Sequence, residues 1–125
     1  MIRKVLVTIA LVIALAPTQA FAFPRNVERW RPVVRRELRH HHIYAPWRER
    51  LALKIIQRES GGNPHARGGY GNQYVGLFQY SPSWTRSWKK DWRWSGAANV
   101  RIFCRGWSRH GTRRFVYRHW AATAY

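Results

Sequence analysis

The stretch that most constrains the fold is WRERLALKIIQRES, residues 47–60, followed at once by Gly61-Gly62-Asn63-Pro64. Trp47, Leu51, Ala52, Ile55 and Ile56 recur at spacings of three and four, which places them on one face of a helix. Glu59 lies three, four and seven residues past Ile56, Ile55 and Ala52. The spacing therefore predicts that it leaves the buried face at the last turn, while Lys54 and Arg58 point elsewhere. Two glycines, and a proline that also restricts Asn63, prevent the helix from continuing. The chain must turn directly after the carboxylate. Partial burial disfavours the charged form of a carboxyl and raises its pKa, which suits a general acid working near neutral pH. Periodicity alone favours the plainer reading, a glutamate that merely ends a stripe.

The flanking chain is strongly basic. Met1-Ile2-Arg3-Lys4 is a short basic start, and residues 5–16 are an apolar run shorter than the roughly 20 residues that span a bilayer. Ala20-Phe21-Ala22 fits a small-residue cleavage pattern, so residues 1–22 read as a secretory signal peptide and the mature chain as secreted, extracellular or periplasmic. Without Arg3 and Lys4, 21 Lys and Arg stand against 5 Asp and Glu, a net charge of +16. Such a field attracts polyanions. For an exported chain these are cell-wall glycan stems, wall phosphate polymers and anionic lipid, rather than a specific nucleic acid. Charge by itself also fits plain solubility and adhesion. Cys104 is the only cysteine, so no internal disulfide is available. The fold must rest on apolar contact, and the eight tryptophans offer much of it, at about 150–250 Å² each. Cys104 is expected to be a small buried hydrophobe.

Residues 23–46 read as a basic helical segment. Asn26 to His42 has a thin apolar stripe of Trp30, Val33, Val34 and Leu38, and Pro32 either kinks the helix or starts a fresh one. His40, His41 and His42 point in different directions on a helix, so a solvated helix end fits them better than a metal site. Residues 60–75 form a Gly-rich loop or short hairpin. Ser81-Pro82 suits a helix start, with Trp84, Trp88 and Trp92 on one face as a core stripe or a sugar-stacking rim. Ser95 is expected to cap a helix to about Arg105 that buries Ala97, Val100, Phe103 and Cys104, with Gly106 as its stop and Trp107 starting a turn. Thr112 to about Ala122 reads as the last helix, with Phe115, Val116, His119 and Trp120 inward. Strand patterning is weak, so the class is mainly α.

Glu59-Ser60, Gly62-Asn63-Pro64-x-Ala66, Gly76-Leu77-Phe78-Gln79 and Pro82-Ser83-Trp84 occur in that order. Together they resemble the catalytic region of the lytic transglycosylase and goose-type lysozyme-like superfamily, over roughly residues 47–107. The resemblance implies a single lysozyme-like domain across 47–125, with the Gly-rich loop or hairpin beside the catalytic helix. It implies Glu59 as catalytic acid/base and Ser60, Gly76 and Gln79 as site residues. Tyr80 and Trp84 are the expected cleft neighbours, and Asn99-Val100 resembles the family's Asn-Ile pair. The family's Ala-Tyr-Asn motif has no counterpart; Tyr117 is the tyrosine that the last helix offers to the substrate.

A two-carboxylate glycosidase needs an acid and a base or nucleophile. The acids here are Glu28, Glu37, Glu49, Glu59 and Asp91. The first three sit in arginine-rich helical sequence and read as local charge partners, and Asp91 has basic neighbours. This poverty favours chemistry with one acid/base. The resemblance implies cleavage of the β-1,4 bond between N-acetylmuramic acid and N-acetylglucosamine in peptidoglycan, forming 1,6-anhydro ends, by a monomer with no metal or cofactor. The alternatives are a hydrolysing lysozyme with Asp91 as second carboxylate, and a non-catalytic cationic wall-binding protein.

Overall fold

The computed structural model describes residues 22–124; the expected leader, apart from Ala22, and its cleavage motif lie outside the described residues. The chain runs through α1 (Arg25–Glu28), α2 (Arg31–His40), α3 (Pro46–Ser60), an antiparallel hairpin of β1 (Arg67–Gly68) and β2 (Tyr74–Val75), α4 (Pro82–Thr85), α5 (Gly96–Gly111), a π-helical segment (Thr112–Tyr117) and α6 (Ala121–Ala124). The class is mainly α. Pro32 starts a fresh helix rather than kinking one, and Pro46 opens α3, both where a fixed φ and a missing N–H cost nothing. The Gly-rich stretch forms the hairpin.

The buried face of α3 is wider than one stripe. Ala52, Ile55 and Ile56 are fully buried as expected, but so is Leu53, while Trp47 is 42% exposed. The reason is that α3 is covered by α1 and α2 and also by α6. Trp47 instead meets Trp107 edge-on at 5.9 Å and carries the Arg48 guanidinium 4.6 Å above its ring.

Glu49 is not a partner of its own helix. It is buried and reaches across to α2, where Arg31 Nη1 and Arg35 Nε lie 2.8 and 2.6 Å from its carboxylate. Glu28 pairs locally with Arg31 at 2.8 Å. The Arg31 hydrogen bond takes the Glu28 pKa from 4.5 to about 2. Burial pushes Glu49 up, but the bonds from Arg35 and Arg31 outweigh it and hold it below the ordinary range. A carboxyl depressed in the fold stabilises above its unfolded pKa, and that stability is lost as pH falls through the folded value. Thermal stability is therefore expected to decline from about pH 4.5 towards pH 2, with a shallower slope in Glu28→Gln. Melting temperatures that stay flat over that window would rule the ion pairs out as a source of stability.

The core centres on Phe78 and Phe103, stacked at 4.1 Å and 10°. Leu38, Ile56, Leu77, Val100 and Val116 close around them. Trp120 lies against both rings and donates its indole N–H to the Phe78 carbonyl at 3.0 Å. Cys104 is buried, and burial pushes its thiol pKa well up.

Two expected boundaries move. Helix α5 runs through Gly106 to Gly111, so Trp107 is a buried helical residue and not a turn. A Cβ at Gly106 would lie 2.3 Å from the Phe115 ring, so this glycine admits a neighbour instead of stopping a helix. Ala97 is exposed and Ala98 takes the buried position beside it, while Ser95 caps as expected, accepting from the Ala98 N–H at 3.2 Å. The helix expected to carry Trp84, Trp88 and Trp92 ends at Thr85. Trp84 and Trp88 still pack on the core, but Trp92 lies in a separate 3₁₀ turn, Lys90–Arg93. Tertiary bonds win there: the Asn99 amide takes the Trp92 carbonyl at 2.8 Å and Arg93 takes that of Thr85 at 3.3 Å. Ser81 stands at the N-cap position, but its hydroxyl pairs with that of Ser83. The last helix begins as π-helix, and its expected inward residues are buried except His119, which is exposed.

Candidate active site

Glu59 sits half-buried on the last turn of α3. Gly61 ends the helix in the left-handed region, φ +60°, and its N–H bonds the Gln57 carbonyl. Gly62 follows at φ +84°, where any Cβ would strike the Asn26 carbonyl. The Gly62 carbonyl accepts from Trp30 Nε1 at 2.8 Å and from Arg29 Nη2 at 3.0 Å. The N-terminal segment thus clamps the turn behind Glu59. Ser60 serves the same turn: its hydroxyl donates to the Ile56 carbonyl at 3.0 Å and accepts from the Gly62 N–H at 3.2 Å.

The hairpin forms the facing wall. Its register pairs Arg67 with Val75 and Gly68 with Tyr74, and successive strand residues face opposite sides. Glu59, Gly68, Gly69, Tyr74, Gln79, His119 and Trp120 line a cleft of about 400 Å³. A Cβ at Gly69 would meet the Tyr74 ring at 2.0 Å, so glycine there lets the phenol close over the strand. Gln79, at φ +53°, donates through Nε2 to the carbonyls of Ala66 at 3.0 Å and Gly76 at 2.9 Å. Gly76 lies where a Cβ would be 2.1 Å from Asn99 Oδ1. That oxygen accepts the Leu77 N–H at 3.0 Å. Asn99 therefore clips the Gly76–Gln79 turn to α5, and Gly76 and Gln79 act largely through the backbone they hold.

Two further depressions continue the cleft. One, of about 110 Å³, shares Tyr74, Gln79, His119 and Trp120 and adds Tyr80, Ser81 and Trp84. The next, of about 360 Å³, takes in Trp84, His119, His110, Arg114, Phe115 and Arg118. They share wall residues, so the three adjoin as a row of depressions, a candidate groove from Glu59 past Trp84 to the two arginines. Tyr80 is chiefly a core residue: it is 2% exposed, and its hydroxyl donates to the Asn99 carbonyl at 3.2 Å. Tyr117 is half-buried against the core and lines none of the three depressions. Asp91 is exposed and also lies outside them.

Burial raises the Glu59 pKa, and the neighbouring Arg58 charge lowers it by less, so the net shift is upward. Among the described residues no hydrogen bond or ion pair engages its carboxylate. Burial, helped by Arg118, lowers His119, which keeps its imidazole neutral at pH 7. The site can therefore present one transferable proton, a phenol and a neutral imidazole to a ligand. Tyr74, His119 and Trp120 enter it unannounced by local pattern. Tyr74 lay inside the Gly-rich stretch, where only the spacing of Gly68-Gly69 from Tyr74-Val75 hinted at a hairpin. His119 and Trp120 read as the inner side of a helix. Among the described residues no three His, Cys, Asp or Glu side chains come together as a metal site would need. Comparison with known family models, with curated proteins and with solved structures finds no match to this chain.

Proposed function

We propose that this protein is a secreted peptidoglycan lytic transglycosylase of lysozyme-like architecture, with Glu59 as its single acid/base. The observation that carries this reading is a half-buried carboxyl with a raised pKa, in a row of depressions that no second carboxylate lines among the described residues. All five acidic residues of the chain are placed: Glu28, Glu37 and Glu49 lie against arginines or histidine of the N-terminal helices, and Asp91 is exposed outside the groove. A two-carboxylate hydrolase would need one more.

Glu59 gives its proton to the oxygen bridging N-acetylmuramic acid and N-acetylglucosamine, and the C1–O bond breaks. The substrate's own acetamido oxygen stabilises the positive charge at C1. Ionised Glu59 then takes the proton of the 6-hydroxyl, whose oxygen closes on C1 to give the 1,6-anhydro ring. Proton and bond counts balance without water. Depressions adjoining the Glu59 cleft suit a polymer, with Tyr74 and Trp84 offering aromatic surface to sugar rings.

Digestion of purified peptidoglycan with mass analysis of the products tests the reading. Anhydro-muramic ends are the expected result. Reducing ends would move the protein to the hydrolases, and retention on walls with no cleavage would make it a cationic wall binder.

A further inference from the structure

The hairpin has a second face. Gly68 and Tyr74 look into the Glu59 cleft, so the alternate pair, Arg67 and Val75, faces the other way. There a separate cavity of about 390 Å³ is walled by Arg67, Arg86, Arg93, Trp94, Asn72 and Gln73, among others, and by no carboxylate. Three arginines line it from three parts of the chain: a strand, the end of α4 and the 3₁₀ turn.

Each guanidinium has unused capacity. Arg67 is exposed and lies 4.7 Å above the Trp94 ring, whose plane stacks at 18° on His65; among the described residues its guanidinium has no hydrogen bond. Among the described residues Arg93 is anchored by one side-chain bond, from Nη2 to the Thr85 carbonyl, and its Nε is buried without a partner. Arg86 is exposed and unpaired among the described residues. Three positive charges gathered without a counter-charge repel one another. A ligand that carries more than one negative charge and many acceptor oxygens would relieve this, and guanidinium forks match phosphate oxygens two at a time. A single carboxylate would offset one charge and leave two.

We propose that this pocket is a phosphate-binding site, distinct from the Glu59 cleft and independent of its chemistry. The amides of Asn72 and Gln73 supply further donors from the hairpin tip, and the Arg67–Trp94–His65 stack holds one wall in place. Phosphate could come from a free small molecule or from a phosphodiester polymer of a cell wall; the recognition chemistry is the same.

Calorimetric titration of the full chain with inorganic pyrophosphate at low ionic strength is expected to show one saturable site. Arg86→Gln changes an exposed, unbonded side chain and so leaves folding alone. It is expected to weaken binding about tenfold, and Arg67→Ala with Arg86→Gln to weaken it further, since charge-assisted bonds are lost in each case. Arg113→Ala, an exposed arginine outside the pocket, should change binding by less than about twofold. Displacement of pyrophosphate by poly(glycerol phosphate) assigns the site to phosphodiester polymers, and saturable binding without displacement assigns it to small phosphates; either supports the site. No saturable binding to the wild type, an equal loss in Arg113→Ala, or binding of succinate as tight as that of pyrophosphate would overturn it. None of these readouts depends on glycan cleavage, so the site and the transglycosylase reading can fail separately.

Discussion

On the proposed transglycosylase mechanism, replacing Glu59 with Gln is expected to lower peptidoglycan turnover by roughly 10²–10⁴-fold or more, the range for losing a general acid, while the protein still folds and any wall binding through its cationic surface is kept. Glutamine keeps the shape and removes the transferable proton. Among the described residues the carboxylate engages no partner that the change would strand. Because burial raises its pKa, the ionised form is disfavoured by the fold, and the stability this group contributes is lost as pH rises through the folded value. The Gln variant should thus match or slightly exceed the wild type in stability at neutral pH. Wild-type activity should fall as pH rises past the Glu59 pKa, because the acid form is the one that starts the reaction. Asp91→Asn, outside the groove, should leave turnover within a few-fold. An active Glu59→Gln protein would remove the mechanism. A folded but inactive Asp91→Asn protein would restore the two-carboxylate hydrolase.

The second large effect is expected at Asn99, which never touches the groove. It is fully buried, and its amide joins three pieces of chain: Oδ1 takes the Leu77 N–H, and Nδ2 serves the Trp92 carbonyl at 2.8 Å and the Ser95 carbonyl at 2.9 Å. Asn99→Ala strands a buried N–H and weakens two carbonyl pairings, at about 1–3 kcal/mol for each unsatisfied group. A loss on the order of 3 kcal/mol is expected, with a melting temperature lower by about 10–20 °C for a chain of this size. Turnover should drop as well, because the Gly76–Gln79 turn loses its clip. A thermal melt within a degree or two of the wild type would show that the turn holds its shape without the amide.

Helix α3 was legible because three signals agree: a 3–4 periodicity, Pro46 at the start and Gly61-Gly62 at the end. The same reading missed Leu53 and overvalued Trp47, because periodicity describes one contact face and α3 has several neighbours. Gly106 misled because a glycine that makes room for Phe115 and a glycine that ends a helix look alike until the partner ring is known. The tryptophan run misled for a related reason: its spacing of four is helical, but Asn99 and Arg93 claim the carbonyls that a helix would use. The half-burial of Glu59 was legible because it follows from local spacing, while its reading as an acid came from the motifs around it. Tyr74 and His119 were not legible, since they reach the cleft through strand pairing and through the end of the chain folding back. Glu49 hid its cross-helix role behind arginines close to it in sequence.

The π-helical segment Thr112–Tyr117 bears on how this protein tolerates insertions and deletions. A π turn holds one residue more than an α turn, so the segment can be read as an α-helix that has accepted an insertion. Removing one exposed residue from it, such as Arg113, would return the α register and swing every later side chain by about 100°. His119 and Trp120 would leave the groove, and the bond from Trp120 to the Phe78 carbonyl would break. Substituting the same arginine would do none of this. The far wall of the groove is thus set by residue number more than by residue type, and single-codon deletions are where variation in this helix would be felt.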